Sequence, residues 1–130
     1  MSLNDPLANV LSQIVAYEKA GKKELVTKNN SKIIRQVLSI MQARLYIGGF
    51  EVIEDSKGDL LKINLLGKIN KTGVIKPRFS LKYDNFEKFE KRYLPAKDFG
   101  ILLVSTSQGL MVHDEAKKKE IGGRLISYCY

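Results

Sequence analysis

A run of hydroxyl-bearing residues at the end of an apolar segment is the part of this sequence best suited to chemistry. Phe99–Val104 is apolar and of strand length, and the segment Ser105–Gly109 (Ser-Thr-Ser-Gln-Gly) follows it directly. Each hydroxyl can donate and accept a hydrogen bond, and the glycine allows the backbone to turn or to approach a ligand closely. Such a tip suits phosphate oxygens, ribose hydroxyls or base edges. The alternative is an ordinary Ser/Thr turn that caps a strand.

The other reactive side chains give little support for catalysis. His113 is the only histidine and Cys129 the only cysteine, so neither a metal site nor an internal disulfide is expected. A small hydrolase or acyltransferase would have to pair Ser105 or Ser107 with His113, but both serines lack the Gly-x-Ser-x-Gly elbow. We interpret His113 as a surface or helix-start residue, and we predict no catalytic residue, cofactor, metal or small-molecule substrate.

The charge balance favours a polyanionic partner. The chain has 130 residues and a formal net charge of +8, which is common among nucleic-acid binders. Residues 1–65 hold nine basic and seven acidic residues (+2), whereas residues 66–130 hold thirteen and seven (+6). A solvated basic loop, or a protein–protein adaptor with an acidic partner, is the alternative. Five cations follow one another without an intervening acid: Lys68, Lys71, Lys76, Arg78 and Lys82.

Nothing in the sequence favours a membrane or export. No apolar run approaches the length of a membrane span, and the N-terminus lacks the pattern of a secretory signal. No helix pattern combines an apolar face with a strongly cationic one, as a membrane-surface helix would. We therefore expect a soluble, cytoplasmic protein.

Residues 1–66 are predicted to form an N-terminal α/β lobe with the order helix, strand, helix, strand, strand. Asp5 is a good N-cap with proline at the first helical position, and apolar residues recur at helical spacing after it. The two last strands are expected to pair as a hairpin. The predicted elements are a helix from Asp5-Pro6 to Gly21, a strand at 23–27, a helix ended by Gly48-Gly49, and strands at 50–54 and 60–66.

Residues 67–77 are predicted to be a basic connector, and residues 78–130 a mainly β C-terminal lobe. This lobe is expected to be an antiparallel sheet of three strands with short helices, one of them between the last two strands. The fold class is therefore α/β in its α+β form, with two small lobes. The predicted elements of this lobe are strands at 78–83, 99–105 and 124–130 and helices at 84–93 and from His113 to Gly122-Gly123.

Three segments together resemble one known family. The longest is the hydroxyl-bearing segment with its flanks, and the others lie near the two ends of the chain. They read Gly100-x-x-Leu103-Val104-Ser105-Thr106-x-x-Gly109-Leu110-Met111 with Ala116-Lys117, then Asp5-Pro6-Leu7-Ala8-Asn9, and Gly122-Gly123-Arg124-x-x-x-Tyr128. The chain thereby resembles the S-eight family of small-subunit ribosomal proteins over essentially its whole length, and residues 88–100 are similar to its archaeal and eukaryotic branch.

The resemblance implies a structural protein that binds a helical region in the central domain of small-subunit ribosomal RNA. It also implies a role in subunit assembly, neighbouring ribosomal proteins as partners, and a place on the cytoplasmic ribosome. Lys71 and Arg78 of the basic run are further candidates for phosphate contacts. Gln108 and Arg124, which adjoin the matched residues, are candidates too. The residues that the resemblance assigns to RNA are Ser105, Thr106, Ser107 and Gly109 with Gly122 and Gly123 beside them, and from the first lobe Asp5, Pro6, Asn9, Ser31 and Lys32.

Overall fold

The computed structural model describes residues 5–54, 58–96 and 99–130, which form two compact units. The first unit extends to Asn70, and the second runs from Lys71 to Tyr130. The division falls inside the segment that the sequence analysis treats as a connector. Helices and antiparallel sheets occur in both units, which confirms the α+β class.

The first unit has the predicted order of elements. The three strands form an antiparallel sheet in the order β1-β3-β2, and the predicted hairpin is the pair β2–β3. Residues 55–57, which include part of the turn predicted at 56–59, lie outside the described residues. Apolar residues of both helices are fully buried with those of the central strand. The elements are α1 (Pro6–Lys19), β1 (Glu24–Thr27), α2 (Lys32–Ala43), β2 (Ile47–Ile53) and β3 (Leu60–Leu65).

The predicted end of the second helix is wrong. The helix ends at Ala43, because Leu45 adopts a left-handed backbone with φ 65°. The Tyr46 N–H then bonds the Met41 carbonyl at 2.8 Å, and the Leu45 N–H bonds the Gln42 carbonyl at 3.0 Å. These two bonds form a Schellman motif, which satisfies the last carbonyls of the helix. The two glycines that were expected to stop the helix lie inside β2 instead.

The second unit contains more strands than the sequence predicts. Its sheet has the order β4-β8-β6-β7, and β5 also pairs with β8. Two strands are new: β4 lies within the predicted connector, and β7 follows the hydroxyl-bearing segment. The predicted strand at 78–83 is reduced to two residues. The elements are β4 (Thr72–Val74), β5 (Ser80–Leu81), a 3-10 turn (Tyr83–Asn85), α3 (Phe86–Tyr93), β6 (Ile101–Thr106), β7 (Gly109–Val112), α4 (His113–Lys118) and β8 (Gly123–Cys129).

One face of this second sheet carries the apolar core of the unit. Val104 of β6 lies opposite Met111 of β7 and Leu125 of β8, so the three side chains share a face. They are buried together with apolar residues of the helices, among them Phe86 and Ala116. Because successive side chains of a strand alternate, the residues next to them point to the opposite face.

Gly122 and Gly123 let three strands approach each other closely. A Cβ atom added at Gly122 would lie closer than 3.0 Å to the Leu81 carbonyl oxygen, and one at Gly123 closer than 3.0 Å to that of Ser105. Side chains are therefore excluded at both positions by the backbones of β5 and β6. The sequence analysis interpreted this glycine pair as the end of α4, but that helix ends at Lys118, and Glu120 takes the left-handed position with φ 55°.

We predict that Gly123→Ala destabilises the protein by about 1–3 kcal/mol, because the new methyl group must displace the Ser105 backbone. Gly48→Ala is the matched control, since its added Cβ meets no backbone atom: its near neighbours are the end of the Leu66 side chain, at 3.1 Å, and the Asn64 Cβ, at 3.4 Å. The control should stay within about 0.5 kcal/mol of the wild type. Urea unfolding of both variants measures the difference, and equal stabilities would contradict the steric account.

Candidate nucleic-acid interface

The hydroxyl-bearing segment forms a tight hairpin turn between β6 and β7. Thr106 lies opposite Gly109, which leaves Ser107 and Gln108 as the two turn residues. Gly109 has φ +107°, a conformation that side chains rarely adopt, which explains the glycine there. The Thr106 hydroxyl donates to the Gly109 carbonyl at 2.8 Å and accepts from the Gln108 N–H at 3.1 Å.

The three hydroxyls therefore do not form the single cluster that the sequence predicts. That of Thr106 closes the turn, whereas Ser105 and Ser107 are exposed together with Gln108 and Gly109. The alternation along β6 places Ser105 on the opposite face of the sheet from Val104 and the helices. Ser105 and Ser107 are thus the two hydroxyls best placed to meet a ligand.

A polar row crosses the end of the sheet beside the hairpin turn, on the face opposite the helices. Ser80 of β5 lies opposite Arg124 of β8, and Arg124 lies opposite Ser105 of β6. Residues directly opposite each other in antiparallel strands share a face, so a guanidinium stands between two serines. All three residues are exposed. The arrangement presents a fixed cation flanked by hydrogen-bonding groups, which suits a phosphodiester with its ribose.

The described acids of the second unit are confined to the segments around its helices, which also carry cations, whereas its strands carry no acid. Strands β4 to β8 contain no Asp or Glu, and neither does the run from Lys71 to Lys82. The described acids of this unit lie in the 3-10 turn, in α3, in α4 and just after α4: Asp84, Glu87, Glu90, Asp114, Glu115 and Glu120. Since the helices pack on the other side of the sheet and Arg124 is the one charged residue within these strands, the strand charge on its face is positive.

The remaining candidates of the second unit divide into two groups. Lys71 and Arg78 are exposed, and their backbones adjoin the sheet: Lys71 pairs with Tyr130, and Arg78 precedes a residue whose carbonyl bonds Leu125. Gly122 and Gly123 are half-buried, and the atoms that approach them closely are the backbones of β5 and β6. The glycines therefore position the row, whereas contact of their own backbones with RNA stays a prediction.

The candidates of the first unit lie at the starts of its two helices. The Asp5 carboxylate accepts from the Ala8 N–H at 3.1 Å and is buried, while Pro6 at the first helical position is exposed and Asn9 is half-buried. The Ser31 hydroxyl accepts from the Ile34 N–H at 3.4 Å, and Lys32 is exposed beside it.

Asp5 thus caps the first helix as the sequence predicts, and Ser31 caps the second helix in the same way. Capping engages the Asp5 and Ser31 side chains within the protein. Lys32 is an exposed cation at the second of these sites, at the N-terminus of a helix where backbone N–H groups also attract anions.

His113 is buried, not at the surface, and both of its ring nitrogens are engaged. Nδ1 accepts from the Leu102 N–H at 3.1 Å, and Nε2 lies 2.8 Å from Glu90 Oε1. Nδ1 can accept only if it carries no proton, so the proton of the neutral ring is on Nε2. Such an imidazole has no nitrogen left to activate Ser105 or Ser107, and the geometry opposes the hydrolase hypothesis.

Ser80 is the candidate that the sequence analysis missed. Polar and apolar residues alternate in Arg78-Phe79-Ser80-Leu81-Lys82, which indicates an outward polar face, but nothing local indicates that Ser80 pairs with Arg124. That register depends on the contact between two segments more than forty positions apart in the sequence. The alternation therefore predicts the face on which Ser80 lies, whereas its neighbour Arg124 is determined by the tertiary fold.

We predict that Thr106→Ala lowers stability by about 0.5–1.5 kcal/mol, because the Gly109 carbonyl and the Gln108 N–H lose their partner. Thr106→Ser keeps the hydroxyl and should restore most of this loss. Ser105→Ala should change stability by less than about 0.5 kcal/mol, since its side chain is exposed. Urea unfolding measures all three, and an equal loss for Ser105→Ala and Thr106→Ala would contradict the assignment.

Comparison with known protein families identifies the family of this chain. A family model described as Ribosomal protein S8 matches residues 5–130. The chain therefore belongs to this family, as its sequence motifs indicated, and it is a small-subunit ribosomal protein that binds ribosomal RNA beside other ribosomal proteins. None of the helices that the structure describes has the length and apolar character needed to span a bilayer.

Proposed function

We propose that this protein recognises a helical region in the central domain of small-subunit ribosomal RNA and helps that region to assemble on the cytoplasmic ribosome. The observation that carries the proposal is the exposed Ser80–Arg124–Ser105 row beside the Ser107 turn, on a sheet without acidic residues. The role is structural. No step of it requires a nucleophile, a metal or a cofactor.

Binding proceeds through two kinds of contact. Exposed cations, among them Lys71, Arg78 and Arg124, neutralise phosphates and release counterions, which supplies affinity without specificity. The serine hydroxyls and the backbone of the turn then hydrogen-bond ribose hydroxyls and base edges. Such contacts suit the shallow minor groove of an RNA helix, where shape and the 2′-hydroxyl are read.

The rigidity of the turn gives these contacts their specificity. Thr106 closes the hairpin through two hydrogen bonds, and Gly123 fixes the distance between β8 and the Ser105 backbone. Ser105, Ser107 and Arg124 are therefore held in place before RNA arrives. A preorganised surface loses little conformational entropy on binding, so a few hydrogen bonds suffice to discriminate one RNA shape from others.

The first unit contributes a second group of contacts in this proposal. Lys32 meets a phosphate at the start of α2, while Pro6 and Asn9 approach the backbone at the start of α1. Asp5 and Ser31 act mainly by capping these helices, which keeps the helix starts in the conformation that presents their neighbours. Neutral and cationic groups predominate there, as contact with a polyanion requires.

A protein–protein adaptor is the second candidate, because the same electropositive face would attract an acidic protein. The serine hydroxyls beside Arg124 distinguish RNA binding from protein binding. An acidic protein surface is met by charge alone, whereas ribose and base edges require donors and acceptors at fixed positions. The hairpin provides such positions, which favours RNA.

We predict that Ser107→Ala weakens binding to the specific RNA about fivefold, the effect of one lost hydrogen bond, without lowering protein stability. Affinity for unrelated duplex RNA should stay unchanged. Equilibrium titration with both RNAs measures the ratio. Unchanged affinity for the specific RNA would show that the turn serine makes no contact.

We predict that Arg124→Ala lowers the slope of log affinity against log salt concentration by about one, as loss of one phosphate contact does. Lys119→Ala is the matched control, because it removes the same charge from the end of α4, on the side of the sheet where the acids lie. The control should leave the slope within its error. Equal slopes for the two variants would place the RNA elsewhere.

A further inference from the structure

His113 is buried at the base of the β6–β7 hairpin, and the proposed RNA contacts do not use it. It is the first residue of α4, directly after β7, and it is only 6% exposed. Burial of an imidazole is unfavourable when its nitrogens lack hydrogen-bond partners, and each ring nitrogen of His113 has one. These two contacts connect three elements: Leu102 belongs to β6, Glu90 to α3 and His113 itself to α4.

The alternation of hydrogen bonds along the hairpin explains the contact with Leu102. In antiparallel pairs, hydrogen-bonded and non-hydrogen-bonded positions alternate. Counting from the closing pair of Thr106 and Gly109, the next bonded positions are Val104 with Met111 and then Leu102 with residue 113. The chain turns into α4 at this last position, so β7 provides no backbone carbonyl to accept from the Leu102 N–H. The His113 side chain supplies the missing acceptor.

Glu90 keeps the imidazole in the form that this contact requires. Its Oε1 lies 2.8 Å from Nε2 and also accepts from Lys117 Nζ at 2.7 Å. A carboxylate next to Nε2 holds the proton there and leaves Nδ1 as the acceptor. The helices α3 and α4 and the strand β6 are thus joined through one neutral ring.

We propose that His113 is a positioning residue for the Ser105–Gly109 hairpin, holding its base closed as a neutral acceptor for the Leu102 N–H and loosening it on protonation. The role deepens the proposed function, on which its effect on RNA binding rests. Protonated imidazole has no lone pair on Nδ1, so the Leu102 N–H is left buried without an acceptor. The hairpin then becomes mobile, and the fraction of molecules with Ser105 and Ser107 in place falls.

The charged groups around His113 set the direction of the pH effect. Burial lowers the pKa of His113 from its usual 6.5, while the charges of Glu90 and Asp114 oppose this and that of Lys117 adds to it. The 3-10 turn that packs on α4 carries Asp84, and β6 and β7 carry no charged residue. The unfolded chain takes up this proton at a higher pH than the folded protein does. The contribution of His113 to the free energy of unfolding is therefore fully present above about pH 6.5 and falls as the pH drops below it.

Two variants separate the acceptor from the rest of the side chain. His113→Asn places an amide oxygen near the position of Nδ1 and can accept from Leu102. His113→Gln places a donor near the position of Nε2, where it reaches Glu90 but leaves Leu102 without its acceptor. Neither side chain titrates. Hydrogen exchange of the Leu102 amide, measured by NMR at pH 7.5, should be at least tenfold faster in His113→Gln than in His113→Asn.

The RNA arm compares the same proteins, with a small-subunit ribosomal RNA fragment, at pH 7.5 and at a pH low enough for the ring nitrogen signals to show His113 protonated. At the higher pH, His113→Gln should bind about fivefold more weakly than His113→Asn. At the lower pH, wild-type affinity should fall relative to that of His113→Asn, whose amide does not titrate. The comparison cancels protonation of the RNA itself. As His113 is the only histidine, its ring nitrogen signals report tautomer and protonation directly in the same samples.

Each result decides one claim. Equal Leu102 exchange in the two variants, or a ring proton on Nδ1 at pH 7.5, would overturn the positioning role. Wild-type and His113→Asn affinities that change in parallel with pH would overturn its effect on RNA binding. If no protein binds the fragment in preference to unrelated RNA, the proposed function fails, and the exchange data alone still decide whether His113 holds the hairpin.

Discussion

The close approach of backbone to backbone at Gly122 and Gly123 is the constraint on which the second unit depends. A side chain at either position would collide with the carbonyl oxygen of Leu81 or Ser105. With no side chains there, β8 can pair with β5 on one side and β6 on the other. This pairing is what places Arg124 between two serines. The glycines that the family resemblance assigns to an RNA site thus act first through the protein's own strands.

The two faces of the sheet have separate tasks because side chains alternate along its strands. On one face, Val104, Met111 and Leu125 are buried against α3 and α4, and this apolar contact stabilises the unit. The acids lie with those helices. On the other face, at the end nearest the hairpin turn, Ser105 and Arg124 are exposed, and Arg124 carries a positive charge. One small sheet thus packs a core on one face and presents a cation for a polyanion on the other.

Local chemistry in the sequence predicted those features that depend on neighbouring residues. The apolar run before Ser105 gave strand β6, and the Asp5-Pro6 pair gave the start of α1. Gly21 ends α1 in a Schellman motif, as expected. The same motif ends α2 and α4, but there Leu45 and Glu120 take the left-handed position that usually favours glycine. The glycine pairs that follow these helices therefore predicted the wrong helix ends.

Features that depend on distant residues could not be predicted in this way. The pairing of Ser80 with Arg124 is a matter of register between separate segments. The burial of His113 depends on Glu90 from α3 and on a hydrogen-bonding position that β7 leaves empty. The internal use of the Thr106 hydroxyl follows from the two-residue turn. In each case the residue type was noticed, while its partner was set by the tertiary fold.

The most direct test of the account is an equilibrium titration of the wild-type protein with fragments of small-subunit ribosomal RNA. It is made at two salt concentrations, with unrelated duplex RNA as competitor. The account predicts tight binding to one fragment from the central domain, weakened by salt but resistant to the competitor. Weak binding to every RNA, abolished by salt, would contradict specific recognition by the hairpin and favour an adaptor that works through charge alone.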